Sequence, residues 1–443
     1  MNHKRNYLNL FDKPNEKAEN LKWVSRFFVI PISSIIIFCV TFVTMINISI
    51  PFAMACSRVP LLRDFASVLA FSPSLSAAIE NEYVQLIQLE QKENDITMRV
   101  EYIIVDQKQL NIFYSLQSSK YSYIEAFPSI SNMDGTPLTG QMTMSSRAAN
   151  SQNGGLQLIV VEFTDNIIPN SLKLICDVSD YTGEPVQVDL FQSSEPKEPT
   201  NITTFEFILN FNPTHMHQGK IITLNQDFTL GEQHLTATTA DIYPTHMRLN
   251  LEADSSNTAW LTSLNFYIEN EQGKRFDTVK NGISSTGSID SPMMKSYRLE
   301  SPFFFKSDNL TLYITSAIFL NKEMERIKIN LINGTAERLP EGVILEHAVH
   351  QAEGWELTFT VEEREGSQFS QVFGAYYYDE MGSEYIYHNW LIYPLNYDGE
   401  LPDKPESFRL QLALSDYPYD SVYLSPLFSH NVDLNETPVI IAL

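Results

Sequence analysis

An uncharged run from Phe27 to Ser57 constrains this chain more than any other stretch in it. About 20 apolar residues cross a bilayer as a helix, so the run predicts a membrane span with room to tilt. Pro31 and Pro51 lie near its two ends, where a residue that lacks a donor and clashes one turn back fits a helix end or kink. A buried core helix would need a large helical domain around it, and nothing downstream offers one.

The charge on either side sets an orientation. Residues 1–26 carry six bases (Lys4, Arg5, Lys13, Lys17, Lys22, Arg26) and three acids (Asp12, Glu16, Glu19), a balance of +3. The whole chain is −24, so the remainder is −24 − 3 = −27. Basic flanks stay on the cytoplasmic side, which places the N-terminus inside and the long acidic part outside. An acidic outer part repels nucleic acid, whose phosphates need clustered Lys and Arg. Cysteine is sparse. Cys39 and Cys56 belong to the apolar run and Cys176 stands alone beyond it, which excludes a disulfide framework.

Residues 1–26 are too short for a domain, and Leu8, Leu10 and Phe11 beside Tyr7 are their apolar anchor for an inner partner or for lipid. Beyond the run, Leu61, Phe65, Val68 and Leu69 share one helical face, and Ser74 offers an N-cap to a second short helix through Ala77, Ala78 and Ile79. From Tyr83 the period becomes two. Ile96, Met98, Val100, Tyr102 and Ile104 alternate with Thr97, Arg99, Glu101 and Ile103, after a turn at Lys92-Glu-Asn-Asp. Strand-like runs follow at 110–116, 156–163, 172–178, 186–191 and 205–211. A second unit opens after Pro213, with Met247, Leu249, Leu251 and Leu264, Phe266, Ile268. A third opens near Ile327 and runs through Trp355, Leu357, Phe359 and Val361 to Leu410, Leu412 and Leu414. Short strands with frequent turns predict sandwiches.

Four segments then carry a family resemblance: Ile50-Pro-Phe-Ala-Met-Ala, Val59-Pro-Leu-Leu-Arg-Asp-Phe, Ala77-Ala-Ile-Glu-Asn-Glu-Tyr-Val-Gln and Asn94-Asp-Ile-Thr-Met-Arg-Val-Glu-Tyr-Ile-Ile-Val-Asp106. Over residues 27–210 the chain resembles bacterial membrane proteins with domain of unknown function 4179, common in Gram-positive firmicutes, some of them described as anti-sigma-factor-like. Residues 213–330, with Asp241-Ile-Tyr-Pro-Thr-His-Met-Arg-Leu-Asn-Leu, look like the second outer domain that often follows. The resemblance implies a single-pass signalling protein whose cytoplasmic part holds a sigma factor or another regulatory protein. This chain departs from that pattern in its short inner segment, which has no His/Cys zinc-type cluster.

Other constellations are weaker. His215-Met-His217 places two imidazoles on one strand face and His246 recurs in a second Pro-Thr-His-Met, but no third ligand of matching logic appears, so no metal or cofactor is expected. Ala53-Met-Ala55-Cys56 admits a signal-peptidase or lipoprotein reading; the long inner segment and the long run favour retention. Residues 375–390 form the most aromatic segment, a hairpin about Gly382, and Tyr376, Tyr378, Tyr385, Tyr387 and Trp390 are its candidate ligand-binding residues. No Gly-x-Ser-x-Gly, His-Glu-x-x-His or phosphate loop occurs, and no catalytic residue is assigned.

The expectation is therefore a mainly β protein with one N-terminal transmembrane helix and two or three extracytoplasmic β-sandwich-like (Ig-like) domains. Its divisions are 1–26 cytoplasmic, 27–50 transmembrane, 51–82 juxtamembrane helices, and β domains at 83–212, 213–324 and 325–443. The expected role is non-enzymatic sensing or regulation at the cell membrane; the alternative is surface binding of wall glycan or protein by the aromatic hairpin.

Overall fold

The computed structural model describes residues 72–443 apart from 82, 122–123, 139–140, 146–154, 164–167, 181–199, 212–218, 280–282, 288–292, 306–308, 363–370, 388–389 and 395–406, with backbone alone at 141–145, 200, 390 and 393–394. The described chain is mainly β. It begins with one short helix, α1 (Pro73–Glu80). Its N-cap is Ser72 rather than the expected Ser74, because Pro73 takes the first helical position, where its fixed φ and missing donor cost nothing. The uncharged run and the face at Leu61–Leu69 lie outside the described residues. Among the described residues no helix is long and apolar enough to cross a membrane.

The first two-sheet layer holds β1 (Val84–Glu93), β2 (Ile96–Val105), β3 (Gln109–Ser118), β4 (Ile124–Ser131), β5 (Gln141–Ser145), β6 (Leu156–Phe163), β7 (Ser171–Asp180) and β8 (Thr200–Asn210). One sheet runs β1-β2-β3-β6-β5 and the other β4-β7-β8. Asn94 and Asp95 turn β1 into β2 at φ of 50° and 62°, a two-residue hairpin loop in the left-handed region that these residues tolerate. The expected alternation of β2 does not run straight through. The register to β3 slips between Val100 and Tyr102, so Glu101 is an extra residue. Ile103 and Val105 thereby join Ile96, Met98 and Val100 in the core, and Tyr102 and Ile104 are turned onto the opposite face. One inserted residue swaps faces because the side-chain period is two.

The second layer holds β9 (Lys220–Leu230), β10 (Gln233–Ile242), β11 (Met247–Ala253), β12 (Ala259–Asn270), β13 (Arg275–Asp277), β14 (Ser285–Gly287), β15 (Met294–Leu299) and β16 (Leu310–Asn321). Its first sheet is β14-β15-β11-β10-β9, and β13-β12-β16 begins the facing one. Met247, Leu249 and Leu251 meet Leu264, Phe266 and Ile268 in a shared core, as their alternation predicts.

The third layer holds β17 (Ile327–Asn330), β18 (Thr335–Ala336), β19 (Val343–Gln351), β20 (Gly354–Glu362), β21 (Phe373–Tyr378), β22 (Glu384–Ile386), β23 (Trp390–Pro394), β24 (Ser407–Ser415) and β25 (Ser421–Pro426). It pairs as β18-β17-β25-β21-β22 facing β19-β20-β24-β23. Leu357, Phe359, Leu410, Leu412 and Leu414 fill its core. The chain then returns. Strands β26 (His430–Asp433) and β27 (Val439–Ala442) both pair antiparallel with β16, so the last strands complete the second layer.

Candidate functional site

The most unusual chemistry lies where the first layer meets the second, in a buried chain of charged groups. Asp106 directly follows β2 and has no exposure to solvent. Its Oδ1 accepts from the backbone N–H groups of Lys108 and Gln109, 2.8 and 2.9 Å away, which closes the turn into β3. Its Oδ2 reaches the second layer and accepts from the Thr245 N–H at 3.1 Å and the Thr245 hydroxyl at 2.5 Å. Burial raises the Asp106 carboxyl above its ordinary range, against the pull of these hydrogen bonds.

Thr245 and His246 sit in the β10–β11 hairpin, which Tyr243 N–H closes on the His246 carbonyl at 2.8 Å. Arg248 Nε donates to His246 Nε2 at 3.0 Å. A guanidinium only donates, so Nε2 is bare and the ring proton sits on Nδ1, 3.0 Å from the Thr245 hydroxyl. Burial, and then the Arg248 charge, hold His246 well below its usual titration range, so the ring is neutral. The Tyr243 ring stacks on it at 5.2 Å.

Glu162, near the end of β6, is the opposite pole. Its Oε1 lies 2.9 Å from Arg248 Nη2 and is also hydrogen-bonded by Arg298 Nη2. Arg248 donates further to the Phe163 carbonyl at 3.2 Å, and Arg298 to the Ser296 hydroxyl at 2.7 Å. Burial draws the Arg298 guanidinium down to about 9, and the carboxylate against it keeps it charged. One carboxylate of the first layer thus clamps two arginines of the second.

The residues that follow β15 reach α1. Glu300 Oε2 accepts from the Ser74 N–H at 2.7 Å, at the positive end of the helix. Ser301 N–H donates to the Ser74 hydroxyl at 2.5 Å, and the Ser301 hydroxyl donates to the Tyr243 carbonyl. Tyr83, just beyond α1, packs edge-on against Phe304 at 5.1 Å. Burial raises the Glu300 carboxyl. The described helix nearest in sequence to the uncharged run is therefore held by the second layer.

The junction has the makings of a fastener. His246 is 1 % exposed, and its Nε2 already faces a cation, the reverse of what a metal ligand needs. His215 and His217 lie outside the described residues. No group of three His, Cys, Asp or Glu side chains able to hold a metal occurs among the described residues. Cys176 is free and buried in β7, and burial pushes its thiol up to about 12.

The aromatic hairpin is present as β21 and β22, with Tyr377 opposite Tyr385 and Asp379 bonding the Met381 and Ser383 N–H groups across the turn. Its rings are divided between faces. Tyr377 is buried, stacks on Tyr385 at 5.3 Å and meets Tyr387 and Tyr417 at 4.9 and 5.4 Å. Tyr376 points the other way and is exposed. Tyr378 is half-buried under the Arg326 guanidinium, 3.7 Å from its ring. Tyr387 is buried, and Trp390 is described by its backbone at the start of β23. The four candidate tyrosines thus form no shared exposed platform. Leu8, Leu10 and Phe11 lie outside the described residues.

Fold and junction together define a mainly β described region of three two-sheet layers, two of them locked by buried charge. The chain resembles the family described as domain of unknown function (DUF4179), whose model matches residues 23–118, as the four motif segments imply. A second model, a family of unknown function (DUF5643), matches residues 219–346 and so contains Thr245, His246, Arg248 and Arg298. No curated protein matches. A solved structure described as a conserved domain protein from Bacillus anthracis is similar at 12 % identity and a TM-score of 0.40, over 62 % of this chain and 85 % of that one.

Proposed function

We propose that this is a single-pass membrane protein with residues 1–26 in the cytoplasm and an outer, non-enzymatic β region that senses or regulates. The observation that carries the reading is the grip of Glu300 and Ser301 on Ser74, because it makes the membrane-proximal helix part of the second layer. A ligand or force acting on that layer would move α1, which follows the uncharged run at Phe27–Ser57 in the sequence after residues 58–72. The +3 inner flank supports the orientation. The output would be read inside by a sigma factor or another regulatory protein that orders Leu8, Leu10 and Phe11 on its surface, or by anionic lipid. Surface binding by the aromatic hairpin is less well supported, since Tyr387 is buried and Tyr378 lies under the Arg326 guanidinium.

The test has two parts. Protease added to intact spheroplasts should digest the part beyond Arg58 and spare residues 1–26. Replacing Leu8, Leu10 and Phe11 with Ser should leave membrane insertion intact and abolish the regulatory output. Protection of the C-terminal part, or a triple variant that signals like the parent, would overturn the proposal.

A further inference from the structure

The main sheet of the first layer has a second apolar face. Tyr102 lies opposite Phe113, and Phe113 opposite Leu158, while Asn111 stands opposite both Ile104 and Val160. These side chains point away from the core between the two sheets, which takes their neighbours Ile103, Ile112, Ile159 and Val161. Tyr102, Ile104, Phe113, Leu158 and Val160 are nevertheless buried, none more than 5 % exposed. The second layer reaches this sheet at its Asp106 and Glu162 end. Phe113 and Leu158 lie about 13 Å further along β3 and β6 than the opposed pair Gln109 and Glu162. At one edge of the face stands α1, which leads into Val84, the partner of Ile104. Its buried Leu75, Ala77, Ala78 and Ile79 belong to none of the three cores. Two large side chains and two alanines fall short of the five large ones opposite.

We propose that residues 58–71 dock as a helix on this face, with Leu61, Phe65, Val68 and Leu69 against Tyr102, Phe113, Leu158 and Val160, and complete a small core with α1. The face is buried within a single chain, so its cover comes from this chain and not from lipid or a second copy. Among the first layer's other stretches outside the described residues, 146–154 has no large apolar side chain, and 181–199 joins β7 to β8 in the facing sheet. Residues 58–71 have the stripe, and Arg63, Asp64 and Ser67 fall on the side away from it. The distance fits. Leu69 is three residues before Ser72, whose hydroxyl is 3.5 Å from Glu300, so about 10 Å of chain separates it from a fixed point. A helix over 58–71 would be about 21 Å long, enough to cross the face. Pro73 ends it at Ser72, since a residue before proline is driven out of the helical region. The inference stands whether or not the uncharged run crosses a membrane.

Site-specific photo-crosslinking of the full chain in lipid nanodiscs tests it. A benzophenone side chain is placed in turn at Phe65, Leu69 and Arg63, and the linked peptides are mapped by mass spectrometry. From positions 65 and 69 the label should reach peptides of β2, β3 or β6 of the same chain. From position 63, on the polar side of the same helix, those links should be lost. If the label at Phe65 prevents folding, judged by loss of the thermal transition, the label at Leu69 decides. Links from these two positions to lipid, to a second copy or to the second or third layer would overturn the proposal. So would equal yields from all three positions, or no link from 65 and 69 at all.

Discussion

Replacing Glu162 with Ala should cost more than any surface charge change in the molecule. Glu162 is 1 % exposed, and Arg298 beside it is equally buried. Its removal leaves two guanidinium groups, Arg248 and Arg298, facing each other with no carboxylate between them. Removing one partner of a buried pair costs about 3–5 kcal/mol, because the remaining charge stays desolvated and unbalanced. Whole domains are stable by only about 5–15 kcal/mol, so about a fifth or more of the stability would go. The Lys173–Glu206 pair, also 2.9 Å apart but half-exposed at the glutamate, is the internal control. Lys173→Ala should cost less than about 1 kcal/mol. Equilibrium urea unfolding of the full chain, followed by tryptophan emission, measures both, and Trp260 reports from β12 of the second layer. A combined Arg248→Met, Glu162→Leu, Arg298→Leu variant should lose less than Glu162→Ala alone, since no bare charge remains. If Glu162→Ala and Lys173→Ala cost the same, the junction is not an electrostatic fastener.

Two further outcomes follow from the same geometry. His246 is neutral in the folded chain but titrates near 6.5 when unfolded, so below that pH the unfolded state binds a proton that the folded state does not. Stability should fall as pH drops from 6.5, by up to about 1.4 kcal/mol per unit, and His246→Gln should flatten the slope between pH 6.5 and 5. Asp106 and Glu300 act with opposite sign, since their raised carboxyls take up protons first in the folded state. Gly354 at the start of β20 has φ of 142°, and a Cβ there would lie 2.1 Å from the Leu414 carbonyl oxygen. Gly354→Ala should therefore cost about 2–3 kcal/mol by forcing backbone apart, read as a lowered thermal midpoint.

The apolar periodicity carried most of the fold. Each alternating set in the second and third layers lies in one core, because a half-buried strand leaves its pattern in its own residues. The face swap at Glu101 was hidden, since an inserted residue leaves the local pattern of β2 looking continuous and only the register to β3 exposes it. The return of β26 and β27 to β16 was equally hidden. Residues more than a hundred positions apart, such as Phe319 and His430, pair there, and no local signal encodes the partner. The junction did leave a trace. Glu162 interrupts the apolar run from Leu158 to Phe163, and Arg248 stands between Met247 and Leu249. A charge set in a buried run implies a buried partner, though the sequence does not say which.

Through Glu300, α1 belongs mechanically to the second layer, and hydrogen exchange of the α1 amides measures that attachment. In the parent, the amides of Ser74 and Leu75 should be protected as strongly as the β11 ladder. In Glu300→Ala they should exchange fast while β2 and β3 stay protected. Fast exchange at α1 in the parent, or unchanged protection in Glu300→Ala, would contradict it.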